Sequence, residues 1–137
     1  MTVVVDSNIL FSALLSKQPI ILQTLLGSDE HFVAPNFLFA EIFKYKEKIA
    51  KHSKLTDDEI LDFLTTLLSR IHFVSHKLIS TNNFQTAFTL CKDVDEKDTV
   101  FVALALELGA SFWTGDKKLK TALIAKGFTN FFSIKTE

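Results

Sequence analysis

The chain has 137 residues, 47% of them hydrophobic, with fourteen Phe, four Gly and two Pro. That suffices for one domain burying roughly 70% of the surface its unfolded form would expose, and the apolar content excludes a disordered or loop-rich scaffold. A formal net charge of -1 excludes a global basic field, so any contact with nucleic acid must rest on local patches.

In chain order, "TVVVD" reads as a strand: its β-branched run is continuous, as in parallel strands covered on both faces. Asp6 and Asn8 interrupt the apolar start, which also lacks a basic segment and a cleavage site, so no signal peptide is expected. "NILFSALLS" has helical spacing, and "PIILQTLLG" continues with Pro19 at a helix start and Gly27 past its end. "HFVA" is a second strand. From Pro35 one helix is expected through "NFLFAEIFKYKEKIAKH". The next opens at "LTDDEI", where Thr56 and Glu59 form a capping box and Leu55 and Ile60 a staple.

"IHFVS" is a third strand and "NNFQTAFTLC" a helix. Its Cys91 is the single cysteine, with no partner for a disulfide or metal chemistry, which suits a reducing cytoplasm. "KDTVFVALALELGA" is a helix apolar on nearly every side, closed by Gly109 and therefore interior. "SFWT" is a fourth strand, "DKKLKTALIAKG" a helix ending at Gly127, and "NFFSI" a fifth strand. No apolar run approaches the ~20 residues that span a bilayer. The expectation is a soluble, cytoplasmic, single-domain α/β chain over residues 1–137, an open, mostly parallel five-stranded sheet with helices on both faces.

In such sheets ligands bind beyond the carboxyl ends of the strands. Asp6 ends the first strand, Asp116 follows the fourth in "FWTGD", Glu41 lies in the first turns after the second, and Asp98 opens the buried helix. Singly, each has a bland explanation: Asp6 and Asp116 as helix caps, Asp98 as a partner of the helix dipole, Glu41 as a surface residue. Glu41 fits its bland explanation worst, because it interrupts the apolar stretch "NFLFAEIF". Together they pose an electrostatic problem, since two carboxylates ~4 Å apart repel by about 4 kcal/mol at an effective dielectric near 20. Mg²⁺ or Mn²⁺, which take oxygen ligands and share them with a substrate phosphate, would relieve it and serve phosphodiester hydrolysis.

These stretches resemble the PIN domain, the nuclease family that includes VapC-type toxins. "VVVDSNILFSALL" resembles the family's opening, "FLFAEIFK" its helix with the second acid, and "DEKDTVFVALALELGASFWTGDKKL" its long C-terminal signature. The resemblance covers essentially the whole chain and implies a three-layer α/β/α fold with strand order 3-2-1-4-5. It further implies Mg²⁺- or Mn²⁺-dependent cleavage of RNA leaving a 5′-phosphate and a 3′-hydroxyl, and frequent homodimers; for a toxin, the antitoxin would be a separate chain. Residue by residue it assigns the metal-binding acids to Asp6, Glu41, Asp98 and Asp116, with Asp95 as an outer ligand, and small polar auxiliaries to Ser7, Asn8 and Thr114. "FWT" departs from the usual aliphatic residues before "TGD", and the bulk of Trp113 would bear on packing near the rim.

On one continuous helix, Lys44, Lys48 and Lys51 fall within about 80° of Glu41, with Tyr45 about 40° to the other side. They form a candidate RNA-binding stripe, the lysines for phosphates and Tyr45 for stacking on a base, against the plain alternative of a solvated face. Lys117, Lys118 and Lys120 form a second candidate patch beside "TGD". His72 and His76 lie on or beyond a strand, which argues against a zinc pair, and no histidine is assigned a catalytic role.

A haloacid-dehalogenase-like phosphatase fails because Asn8 stands where its second Asp is required. Nucleotide-binding readings fail for want of a Gly-rich loop after Val5, and a receiver domain does not fit "TGD". The rival from another class is a catalytically silent PIN-like module binding RNA or protein.

Overall fold

The computed structural model describes residues 1–15, 19–52 and 56–134. The valines of β1 (Thr2–Val5) are fully enclosed because the strand is central. It pairs in parallel with β2 (His31–Pro35) on one side and β4 (Ser111–Trp113) on the other. β3 (Ile71–Val74) extends the sheet beyond β2, giving the order β3-β2-β1-β4. This is the mixed α/β, parallel-sheet architecture expected.

α1 (Ser7–Leu14) and α2 (Pro19–Gly27) link β1 to β2, and α3 (Phe37–Lys44), α4 (Lys46–His52) and α5 (Asp57–Ser69) link β2 to β3. α6 (Thr81–Cys91) and α7 (Thr99–Leu108) return the chain across the sheet to β4, and α8 (Lys117–Ala125) follows. Right-handed crossovers then put α1 to α5 on one face and α6 to α8 on the other. The order reverses between β1 and β4, so the carboxyl ends of these two strands flank the switch point where such sheets bind ligands.

Local chemistry fixes the pieces. Arg70 closes α2 by donating from Nε to the Leu25 carbonyl at 3.1 Å and from Nη2 to the Ser28 carbonyl at 2.7 Å. The Thr56–Glu59 capping box starts α5 with both reciprocal bonds present; Leu55, its staple partner, lies outside the described residues. α7 is buried without a break from Phe101 to Ala105 and closes at Gly109 with φ 60°, where the Ala110 N–H reaches the Ala105 carbonyl at 2.9 Å. The Cys91 thiol is buried, which pushes it up to about 11 and makes it inert near neutrality. Among the described residues no single helix is long and apolar enough to cross a membrane.

Two expectations need correction. The helix after Pro35 is two helices, broken at Tyr45 (φ −101°, ψ 8°), whose N–H still reaches the Glu41 carbonyl. No Gly or Pro marks the break; the rings of Tyr45 and of Phe11 on α1 meet there at 89°, a tertiary contact that periodicity does not encode. The fifth strand is reduced to a single parallel bridge, Phe112 to Phe131. The Phe112 N–H donates to the Asn130 carbonyl and the Phe132 N–H to the Phe112 carbonyl, while the Phe131 N–H turns back to Thr129. Side chains hold the segment in place of a ladder, with Phe132 against Trp113 at 5.0 Å. Trp113 is 4% exposed between Phe132 and Phe32, so its bulk fills the core.

Candidate active site

Asp6 is the residue at which β1 stops. Its Oδ1 accepts the Ile9 N–H at 2.9 Å and caps α1, while its own N–H donates to the Trp113 carbonyl at 3.1 Å, tying the ends of β1 and β4 together. At 1% exposure its carboxyl is pushed above the usual range, chiefly by burial; hydrogen bonds from the Thr114 hydroxyl and the N–H groups of Ile9 and Asn8 oppose the shift, and Asp116 adds repulsion.

Asp116 caps α8 in the same manner, Oδ1 accepting the Leu119 N–H at 3.1 Å, and its N–H donates to Thr114 Oγ1 at 3.1 Å. Thr114 therefore bridges the two capping acids. The bland explanation of Asp6 and Asp116 as caps is correct, yet each cap uses one carboxylate oxygen and leaves the other. Asp98 differs: it occupies the position before α7 but makes no capping hydrogen bond. Burial first, then repulsion from Asp95, Asp6 and Asp116, pushes its carboxyl up to about 7. Asp95 itself accepts the Lys97 N–H at 3.0 Å in the turn leading to Asp98.

A cavity of about 820 Å³ opens beside these groups; Asp6 and Asp116 are not among its lining residues. Asp98, Asp95, Ser7 and Asn8 line it, and Glu41 reaches it, half-buried, from α3. Asp98 thus joins two sets, the acids that repel one another across the switch point and those that face the cavity. Among the described residues no three His, Cys, Asp or Glu side chains are placed to close on one ion, and no lysine or arginine is paired with these acids. An all-oxygen, anionic donor set with no ion-paired lysine or arginine among the described residues suits a hard divalent cation that keeps several of its waters.

The basic residues divide. Lys48 and Tyr45 line the cavity and Lys44 and Lys51 do not; the break at Tyr45 leaves Lys44 on α3 and puts Lys48 and Lys51 on α4. The Lys44 ammonium lies 5.9 Å from the Tyr45 ring centroid. Lys117 and Lys118 are exposed in the first turn of α8, while the Lys120 ammonium sits 5.3 Å from the centre of the Phe131 ring. Sequence reasoning missed the lining residues Lys97, Phe11, Leu15, Phe37 and Phe101. A signal for the apolar ones was present: Phe11 is four after Ser7, Phe37 four before Glu41, and Phe101 three after Asp98, the spacings that share a helix face.

The parallel sheet thus brings Asp6, Asp98 and Asp116 near one another at its switch point, beside a cavity entered by Glu41. The chain belongs to the PIN domain family of nucleases: the family's model matches residues 4–130, which contain all four of these acids. Among solved structures the chain is similar in fold to VapBC2 from Rickettsia felis bound to a DNA fragment from their promoter. That similarity has a TM-score of 0.60 at 18% identity and covers 89% of this chain and 93% of the other. A comparison with curated proteins returns no match.

Proposed function

We propose that the chain is a Mg²⁺- or Mn²⁺-dependent endoribonuclease and the toxin of a toxin–antitoxin pair, acting in the cytoplasm with a separate antitoxin chain and a second copy as its protein partners. The observation that carries the nuclease reading is Asp98, a half-buried carboxylate at the switch point that caps nothing, pairs with no cation among the described residues, and is crowded by other acids. The VapBC2 likeness motivates the pairing with an antitoxin.

In this reading Asp6, Glu41, Asp98 and Asp116 hold the divalent ion, and Asp95 supports it from the outer side. The ion supplies a Lewis acid at the phosphoryl oxygen and a water that ionises near neutrality. Thr114 fixes the carboxylate of Asp6 and the backbone of Asp116, while Ser7 and Asn8 present hydroxyl and amide groups to the cavity for orienting water or phosphate. Lys48, with Lys44, Lys51, Lys117 and Lys118 further out, neutralises phosphates along the strand. Hydrolysis leaves a 5′-phosphate and a 3′-hydroxyl.

Incubation with single-stranded and structured RNAs, with Mg²⁺ or Mn²⁺ and then with chelator, tests it. Metal-dependent cleavage abolished by chelator is expected. No cleavage across the panel would turn the reading to a silent RNA- or protein-binding module, the alternative favoured by the capping roles of Asp6 and Asp116 and by the absence, among the described residues, of three ligands closed on one point.

A further inference from the structure

The cavity is larger than its acids require. Six waters around an ion occupy roughly 180 Å³ at about 30 Å³ each, against about 820 Å³ available. Much of the remaining wall is aromatic. Phe37 and Phe101 pack edge to face at 5.7 Å, and Phe101, 2% exposed, belongs to the core. Phe11 and Tyr45 form a second edge-to-face pair, also at 5.7 Å with their planes at 89°, but Tyr45 is 42% exposed. Such a pair fixes the relative orientation of its rings, and the exposure of Tyr45 leaves part of that ring open to a ligand.

We infer that the Phe11–Tyr45 corner is a slot for one unpaired nucleobase next to the scissile phosphate, which makes the substrate a strand with an unstacked nucleotide at that position; this rests on the ribonuclease reading. Three features of the corner fit that occupant. A ring fixed by its neighbour loses little freedom when a base stacks on it, and stacking tolerates any base because each has a π face. Leu15 continues the apolar wall on the α1 side, and Lys48 lies in the same cavity for the phosphate on which the base is carried. Glu41, Asp95 and Asp98 line the same cavity, so base and phosphate would be held by different residues. A base inside a duplex is stacked and paired and must first be extruded, which costs a few kcal/mol, so continuous duplex is a poor substrate.

The test uses hexaribonucleotides carrying 2-aminopurine at each position in turn, titrated with Asp98→Asn protein in Mg²⁺. Fluorescence quenching concentrated at one position is expected. Adding Tyr45→Ala, an exposed change, removes that quenching and weakens binding between about fivefold and 150-fold, the range of base–aromatic stacking, and Tyr45→Phe restores both. Uniform or absent quenching, or binding within twofold after Tyr45→Ala, overturns the slot. With wild-type protein, a lack of cleavage beside position-specific quenching would defeat the nuclease reading and reduce the slot to a base-binding corner with no scissile phosphate beside it. Cleavage with an unchanged KM in Tyr45→Ala would do the reverse.

Discussion

α7 and the arm formed by α3, α4 and α5 are both rich in Leu and Phe, yet they meet opposite fates. α7 is enclosed from Phe101 through Ala105, whereas Phe39, Phe43 and Leu61 of the arm stay 41%, 55% and 62% exposed and border an apolar groove of about 690 Å³. Enclosure on all sides fixes the position of a helix, so the Asp98 carboxyl at the head of α7 is held among like charges without capping the helix. Glu41 comes from the arm, an element attached along one side. The candidate site is therefore built from one rigid contribution and one more weakly anchored.

The largest expected effect follows from that division. Asp98→Asn keeps the shape of the side chain and removes its charge, and should lower kcat/KM at least about a hundredfold, equivalent to about 2.7 kcal/mol of transition-state stabilisation. Glu41→Gln should cost less. Initial rates on one fluorogenic RNA decide it, with a thermal melt confirming that both variants fold; equal losses would show that the arm positions its acid as firmly as α7 does.

Next in size is stability. Leu104, 1% exposed on α7, should cost about 2–5 kcal/mol when changed to Ala because the cavity left behind cannot collapse. Leu61→Ala on the arm should stay within about 0.5 kcal/mol. Urea unfolding of the two variants measures the gap directly, and comparable losses would mean that the arm's apolar face is covered in solution.

The carboxyl of Asp98 supplies a pH test. Its folded value of about 7 lies above the ordinary 3.8, so between those limits the folded chain holds a proton that the unfolded chain has released. The associated stability is complete below about pH 4 and is lost as pH rises to about 7; the raised value at Asp6 acts in the same direction. Glu59 and Glu107, held below their usual range by hydrogen bonds from Thr56 and from Ser80 and Asn83, act oppositely. The informative quantity is thus the Tm difference between Asp98→Asn and wild type without metal, which should widen in favour of the variant from pH 4 to pH 7 and shrink when Mn²⁺ is added.

The same contrast governs what could be read from the sequence. β1 and α7 were legible because their apolar runs are continuous, and a chain segment buried on every side writes its environment into every position. Asp6, Asp98 and Asp116 were legible as a group because strand ends and helix starts fix their places before any packing is known. The break at Tyr45 was not, since no Gly or Pro marks it and the contact Tyr45 makes is with Phe11, 34 positions earlier, which exists only in the folded chain. The angles that grouped Lys44, Lys48 and Lys51 with Glu41 presupposed the unbroken helix. The fifth strand was overestimated for a related reason: "NFFSI" has strand composition, but its aromatic rings, packed on Trp113, Phe112 and Phe128, hold it where a ladder was expected.

The smallest effect examines whether the arm belongs to the same cooperative unit as α7. Thr56 Oγ1 accepts the Glu59 N–H at 3.2 Å and the Thr56 N–H donates to Glu59 Oε1 at 3.0 Å, so Thr56→Ala removes one bond and loosens its reciprocal. Loss of such a cap costs about 1 kcal/mol. If α5 melts with the sheet, that appears in full as a fall in Tm of about 4 °C. If the arm opens on its own, the global transition stays in place and only the amides of α5 exchange faster, since local opening governs their protection. The arm's one-sided attachment favours the second outcome, with α5 exchange rising roughly fivefold for the 1 kcal/mol lost and α7 exchange unchanged. A full shift in Tm would instead place Glu41 on a support as firm as that of Asp98.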